Sequence, residues 1–134
     1  MPINPNLSIP TISMATPLET TQMVLHVTIQ IDPSNVEVFL KELRPVWAAC
    51  CREPECLYFE VAHSPTEPGL FRFVEVWTKD KEWFLEHQIT KPYYEPYLSI
   101  TTPMWTADRK LEFFERVDGW NYVGDEYLKG GVRS

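Results

Sequence analysis

Met23-Val24-Leu25-His26-Val27-Thr28-Ile29-Gln30-Ile31 alternates residue by residue. Leu25, Val27, Ile29 and Ile31 fall on one side, and Val24, His26, Thr28 and Gln30 on the other. A period of two is the signature of a strand with one face on a core and one face elsewhere. Asp32-Pro33-Ser34-Asn35 follows it. This stretch ends the strand and opens a helix, with Ser34 or Asn35 as the predicted N-cap.

Outward from that strand, Val36, Phe39, Leu40, Leu43, Val46 and Trp47 recur at helical spacing. They predict a helix to about Arg52, kinked at Pro45, which removes one amide donor. Residues 56–63 and 70–78 read as strands two and three, joined by the Pro- and Gly-rich turn Ser64–Gly69. A second helix is predicted from Lys79 or Asp80, carrying Trp83, Phe84 and His87, and it is broken at Pro92. A short helix from Tyr93 to about Leu98, a loop over 101–107 and a fourth strand over 110–117 complete the series. The order β-α-β-β-α-β is the ferredoxin-like α+β arrangement, an antiparallel sheet with its helices on one face.

The chain has 134 residues, enough for one domain. Three regions are expected: a Pro-, Ser- and Thr-rich disordered leader over 1–22, the folded domain over 23–117, and an aromatic tail over 118–134 that docks on a partner subunit. The leader lacks the basic start and apolar stretch of a secretory signal, so the expected location is cytoplasmic. A net charge of −7 argues against nucleic acid and anionic lipid as partners. No apolar run reaches membrane-spanning length. Cys50, Cys51 and Cys56 form an odd, clustered set that makes neither a disulfide framework nor a zinc site. No phosphate-cradling loop or nucleophile elbow is present. Aromatic residues make up 13% of the chain, which suits a heavy core or a pocket for a flat ligand.

If the Leu-, Val- and Ile-rich strand faces meet the helices, the opposite face carries His26, Thr28, Gln30, Tyr58, Glu60, Phe73, Glu75 and Trp77. Such a face is too polar for a dry core. Two copies meeting through it would enclose a cavity with polar groups on an aromatic wall. The expected partners are therefore a second copy of the chain and a small aromatic molecule.

Glu75-Val76-Trp77 closes the third strand, and His87 follows ten residues after Trp77. Arg52-Glu53-Pro54-Glu55-Cys56-Leu57-Tyr58-Phe59-Glu60-Val61 stands upstream and Lys91-Pro92-Tyr93-Tyr94 downstream. Over about residues 23–117 the chain resembles the antibiotic biosynthesis monooxygenase family of dimeric α/β barrels. The resemblance implies two ferredoxin-like protomers pairing their sheets. It implies several chemistries, among them oxidation of anthrones or quinols by oxygen without metal or flavin, where the deprotonated substrate supplies the electron. Trp77 matches the pocket tryptophan of such enzymes, whereas the first-strand asparagine that several use is missing, with His26 in that vicinity. Trp77 and His87 also match two of the three residues that haem-degrading members use.

Each candidate has a functional and a structural reading. His26 and His87 are candidate bases, or a dimer contact and an interface histidine. Glu75 and Glu60 would orient a histidine, or pair with Arg72, Arg109 or Arg116 across a dimer. Trp77, Phe73, Tyr58 and Thr28 would form the pocket wall, and Tyr93 and Tyr94 would offer phenol donors, or all would pack an interface. The expected function is a cofactor-independent monooxygenase acting on an aromatic or polyketide-like metabolite of secondary metabolism, with no metal. The alternatives are a non-oxidative decarboxylase, cyclase or isomerase in the same pocket, or a non-catalytic binding protein.

Overall fold

The computed structural model describes residues 22–127. The predicted leader lies outside the described residues except for Gln22, as does the end of the tail over 128–134. Residues Gln22–Glu115 form one compact unit, and the described residues from Arg116 onward belong to a second.

Four strands, β1 (Met23–Gln30), β2 (Cys56–His63), β3 (Leu70–Trp77) and β4 (Lys110–Glu115), pair antiparallel in the order β2-β3-β1-β4. The helices are α1 (Val36–Cys51), α2 (Lys81–Gln88, whose second half is a π-type turn) and α3 (Glu95–Thr101). This is the ferredoxin-like topology expected from the sequence.

The start of α1 differs in detail. The capping oxygen is Asp32 Oδ1, which accepts from Ser34 N at 2.9 Å, while Asn35 makes no side-chain cap. The helix then runs on through Pro45 and buries Phe39, Leu43, Val46 and Cys50 along one stripe. Asp80 caps α2 by accepting from Trp83 N at 2.9 Å. A 3₁₀ turn over Pro92–Tyr94 leads into α3, which extends to Thr101, and β4 stops at Glu115, two residues short of the expected end.

The faces of β3 are the reverse of those expected. Register pairs Leu25 with Glu75, Val27 with Phe73, Ile29 with Phe71 and Met23 with Trp77. Directly opposed residues share a face, so Phe71, Phe73, Glu75 and Trp77 lie under the helices with Leu25, Val27 and Ile29. Val74 and Val76 point the other way, opposite His26 and Val24. Both faces of this strand are apolar, so alternation alone could not choose between them. Burial chose: three aromatic rings remove far more area from water than two valines, at roughly 1.5–3 kcal/mol per buried large side chain. Phe71 stacks on Phe39 with centroids 4.8 Å apart, and Trp77 meets Phe84 edge-on at 5.6 Å. Glu75 is carried into the interior by the register of its neighbours.

In β2, Phe59 and Val61 face the helices, and Tyr58, Glu60 and Ala62 the other side. A bulge between Cys56 and Tyr58 leaves Leu57 unpaired and 49% exposed, although it was expected to share a face with Phe59.

The β2–β3 turn is closed at Gly69, whose φ is +92°. Its carbonyl accepts from Ile31 N at 2.9 Å, and its amide donates to His63 Nε2 at 2.9 Å.

Candidate functional site

Between the helix-covered face of the sheet and the helices lies a cavity of about 40 Å³. That is room for about three water molecules. Its walls are the rings of Trp47, Phe59, Phe73 and Phe84 with aliphatic groups from β1 and α1. Its polar groups are Glu75, Cys50, Tyr94, Tyr97 and Arg109.

Glu75 is the chemically distinctive member. It is 4% exposed, and its Oε1 accepts a hydrogen bond from Trp77 Nε1 at 3.0 Å. Burial raises its pKa from 4.5 to about 7, against the opposing pull of the indole hydrogen bond and the positive charge of Arg109. A carboxyl balanced near neutrality is suited to taking up and returning a proton. Burial likewise pushes the Cys50 thiol up to about 11, so it stays protonated and is a poor nucleophile. Tyr94 and Tyr97 are also raised, chiefly by burial, and remain neutral donors.

Behind the cavity wall sits a polar chain. Gln88 is fully buried, and its Nε2 donates to Tyr93 Oη at 2.8 Å and Tyr94 Oη at 3.0 Å. Tyr93 donates to Glu53 Oε2 at 2.7 Å, and Lys91 Nζ pairs with the same oxygen at 2.8 Å. Tyr94 Oη lies 3.2 Å from Cys50 Sγ.

The structure separates the residues that the sequence placed on one face. Phe73, Glu75 and Trp77 belong to the helix side, and the first two line the cavity. Trp77 is fully buried and reaches the cavity through Glu75, so it is a support and not a wall. His26 is on the opposite sheet face, edge-on to Phe114 at 5.4 Å. Thr28 is there too, accepting from Arg72 Nε at 3.1 Å, as are Tyr58 and Glu60, which hydrogen-bond to each other. None of these four lines the cavity. His87 is exposed on α2 beside Trp83, with ring centroids 6.3 Å apart. It is not among the cavity-lining residues, and Glu75 orients neither histidine. Of the two tyrosines, Tyr94 lines the cavity and Tyr93 stands behind it.

Sequence reasoning missed Tyr97, Cys50 and Gln88, named Arg109 only as one of three arginines that could pair with Glu75 across a dimer, where the structure sets it near Glu75 within one chain, and read Trp47 only as core. A signal existed for Gln88. It follows Phe84 by four residues, so it holds a polar group at the spacing of a buried apolar stripe. Among the described residues, no group of three or more His, Cys, Asp or Glu side chains is placed to share a metal ion, and no helix is long and apolar enough to cross a membrane.

The family model for antibiotic biosynthesis monooxygenases matches residues 23–94, which spans β1 through the 3₁₀ turn after α2. The chain belongs to the antibiotic biosynthesis monooxygenase family. A protein of Pestalotiopsis microspora, named as a proposed monooxygenase, is 29% identical over 100 residues, covering 75% of this chain and 83% of its own. Two solved structures proposed as antibiotic biosynthesis monooxygenases share the fold. One, from Caulobacter crescentus, has a TM-score of 0.67 at 20% identity and covers 75% of this chain and 93% of its own. The other, from Nitrosomonas europaea, has a TM-score of 0.65 at 17% identity and covers 73% and 92%. Membership in the antibiotic biosynthesis monooxygenase family fixes the architecture around the cavity. The chemistry has to be argued from Glu75 and its neighbours.

Proposed function

We propose that the protein is a monooxygenase that oxidises a flat aromatic substrate of the anthrone or hydroquinone class in the cavity beneath its helices, without a metal or flavin. The observation that carries this reading is Glu75, a buried carboxyl with a pKa of about 7 at the wall of an aromatic-lined cavity. Family membership and the name of the Pestalotiopsis relative support the reaction type.

In this reading the ring system enters against Phe59, Phe73 and Trp47 and parts these walls to do so. Glu75 takes the acidic proton of the bound molecule, with the Trp77 indole holding its Oε1 in place. The resulting anion is stabilised by Arg109 and by the phenols of Tyr94 and Tyr97, in a site where few water molecules screen them. The electron-rich anion reduces oxygen by one electron, and the two radicals combine at carbon to give a peroxide anion, which takes the proton held by Glu75 and becomes a hydroperoxide. Loss of water then leaves a new carbonyl. For an anthrone, one molecule of substrate and one of oxygen give one quinone and one water, so one oxygen atom enters product and the other leaves as water. In that loss of water Glu75, ionised again, removes the remaining hydrogen of the same carbon as a proton and passes it to the departing hydroxide.

The second sheet face supports a companion proposal. It presents His26, Tyr58, Glu60, Arg72, Glu112 and Phe114, the last 51% exposed, and we take it as the surface through which two copies pair. Sedimentation of the wild type and of Phe114→Asp checks this: a dimer is expected, weakened by the substitution.

An oxygen electrode tests the catalytic reading. Anthrone and a hydroquinone are presented to wild type and to Glu75→Gln. Uptake of one oxygen per anthrone above the buffer rate, falling to background in Glu75→Gln, is expected. No uptake above background, or full activity in Glu75→Gln, overturns it. Substrate loss without oxygen uptake would assign the same base to a non-oxidative reaction.

A further inference from the structure

Gln88 is buried at the end of the π-type turn, and none of the chemistry above uses it. Its side chain is held in one orientation by a chain that begins near the surface. Glu53 is ionised, its pKa lowered by its hydrogen bonds with Lys91 and Tyr93. A carboxylate only accepts, so the single hydroxyl hydrogen of Tyr93 goes to Glu53. Tyr93 can then only accept from Gln88, which requires the amide nitrogen to face it. The two hydrogens of Nε2 are thereby assigned, one to Tyr93 and one to Tyr94. Among the described residues, Gln88 Oε1 is left buried without a partner. Turning the amide over would bury two orphaned N–H donors in place of one orphaned acceptor, a larger loss.

For Tyr94 the consequence is directional. Its oxygen already accepts from Gln88, so its hydroxyl hydrogen is free for another acceptor. The neighbour in the structure is Cys50 Sγ at 3.2 Å, and a thiol sulphur is a weak partner whether it gives or receives. Tyr94 and Cys50 both line the cavity. A ligand oxygen that displaced this contact would gain a much better hydrogen bond.

We propose that Gln88 is a positioning residue that aims the Tyr94 hydroxyl into the cavity, so that the site selects ligands carrying a carbonyl oxygen on the flat ring system. The inference rests on the reading of the cavity as the aromatic site. It adds a requirement that Glu75 does not impose: one acidic position for the carboxylate and one carbonyl acceptor for the phenol.

The test compares anthrone with dihydroanthracene, the same three rings without the oxygen. Binding is measured by quenching of tryptophan fluorescence without oxygen, so that nothing turns over. Wild type is expected to bind anthrone about tenfold tighter, the value of one good hydrogen bond in a dry site. Tyr94→Phe and Gln88→Leu are each expected to bring that ratio close to one while leaving the affinity for dihydroanthracene within about twofold. Gln88→Met, closer in shape, replaces Gln88→Leu if the latter does not fold. The inference is overturned if wild type shows no preference, if the preference survives either substitution, or if the variants lose both ligands equally. Wild type binding neither compound overturns it together with the aromatic-site reading. A carbonyl preference without oxygen uptake would leave this inference standing and sink only the oxygenase.

Discussion

Replacing Glu75 by glutamine is expected to make the protein more stable and to abolish its chemistry. The carboxyl has a pKa of about 7 in the folded chain against an ordinary 4.5. Below pH 4.5 both folded and unfolded chains hold the proton, and no cost arises. Between the two values the unfolded chain releases its proton while the native chain keeps it, so stability falls as pH rises. Above pH 7 both are ionised and the full cost, ~3 kcal/mol, is present. Glutamine is neutral throughout and keeps an oxygen for the Trp77 indole. The variant is therefore expected to exceed wild type by under ~1 kcal/mol at pH 5 and by ~3 kcal/mol at pH 8.

Urea unfolding followed by tryptophan fluorescence at one protein concentration reads this difference, and the fixed concentration keeps any association constant. With a slope of ~1.5 kcal/mol/M, the midpoint of Glu75→Gln should lie about 2 M above wild type at pH 8 and only a few tenths of a molar above it at pH 5. An equal gap at both pH values would refute the reasoning, since only a titrating group makes it grow. A less stable variant at pH 8 would also refute it, and would mean that Glu75 is held ionised by Arg109 as a structural ion pair.

Turnover should rise with pH through an inflection near 7 and stay level above it, because the base must be ionised to act; a flat kcat/KM profile from pH 5 to 9 would rule out Glu75 as that base. Arg109→Gln removes a charge that lowers the Glu75 pKa, so the inflection should move to higher pH, and an unmoved profile would show that the guanidinium does not act on the carboxyl. The pair His26→Ala with His87→Ala should retain turnover within about threefold in the same oxygen-uptake assay, since neither side chain lines the cavity. Gly69→Ala should cost roughly 1–3 kcal/mol or more in urea unfolding, because a Cβ there would stand 2.1 Å from Ile31 O at a φ of +92°. Unchanged stability would mean that the β2–β3 turn relaxes freely.

The topology was legible because β1 alternates cleanly and Pro and Gly punctuation marks the joints, apart from Thr78–Asp80 between β3 and α2. Position on a face was legible only where one side of a strand was polar. In β1 the contrast between Leu25 or Val27 and His26 or Thr28 decides it. In β3 both sides are apolar, and the rule that Leu-, Val- and Ile-rich faces meet the helices turned Val74 and Val76 inward and Glu75 outward. Its inward position follows from its neighbours Phe73 and Trp77, whose combined burial outweighs the cost of one carboxyl. That single reversal moved the candidate site from between two protomers to beneath the helices of one. Tyr94 could be named from sequence as a phenol donor, but its relation to Gln88 and Glu53 depends on a 3₁₀ turn and a π-type turn whose side-chain directions periodicity does not report. Arg109 precedes β4 in a loop with no repeating pattern, and only the folded chain brings it within electrostatic reach of Glu75.

The cost of Glu75 is itself an argument for its role. Its hydrogen bond to Trp77 could be made by a glutamine that carries no charge to bury, and the pull of Arg109 does not offset the cost of burial, so a carboxyl here weakens the fold at neutral pH. What a carboxylate offers and an amide lacks is the capacity to take a proton. The size of the cavity sharpens the point. A cavity with room for about three water molecules can leave an ionised carboxylate some hydration. A flat ring entering between Phe59 and Phe73 must push the walls apart and expel that water, leaving the charge without its solvent at the moment an acidic proton comes within reach. Desolvation then raises the affinity of Glu75 for the proton further, so binding itself drives the carboxylate toward abstraction. The resulting charge passes to the ring, where Arg109 and the oriented hydroxyl of Tyr94 can receive it.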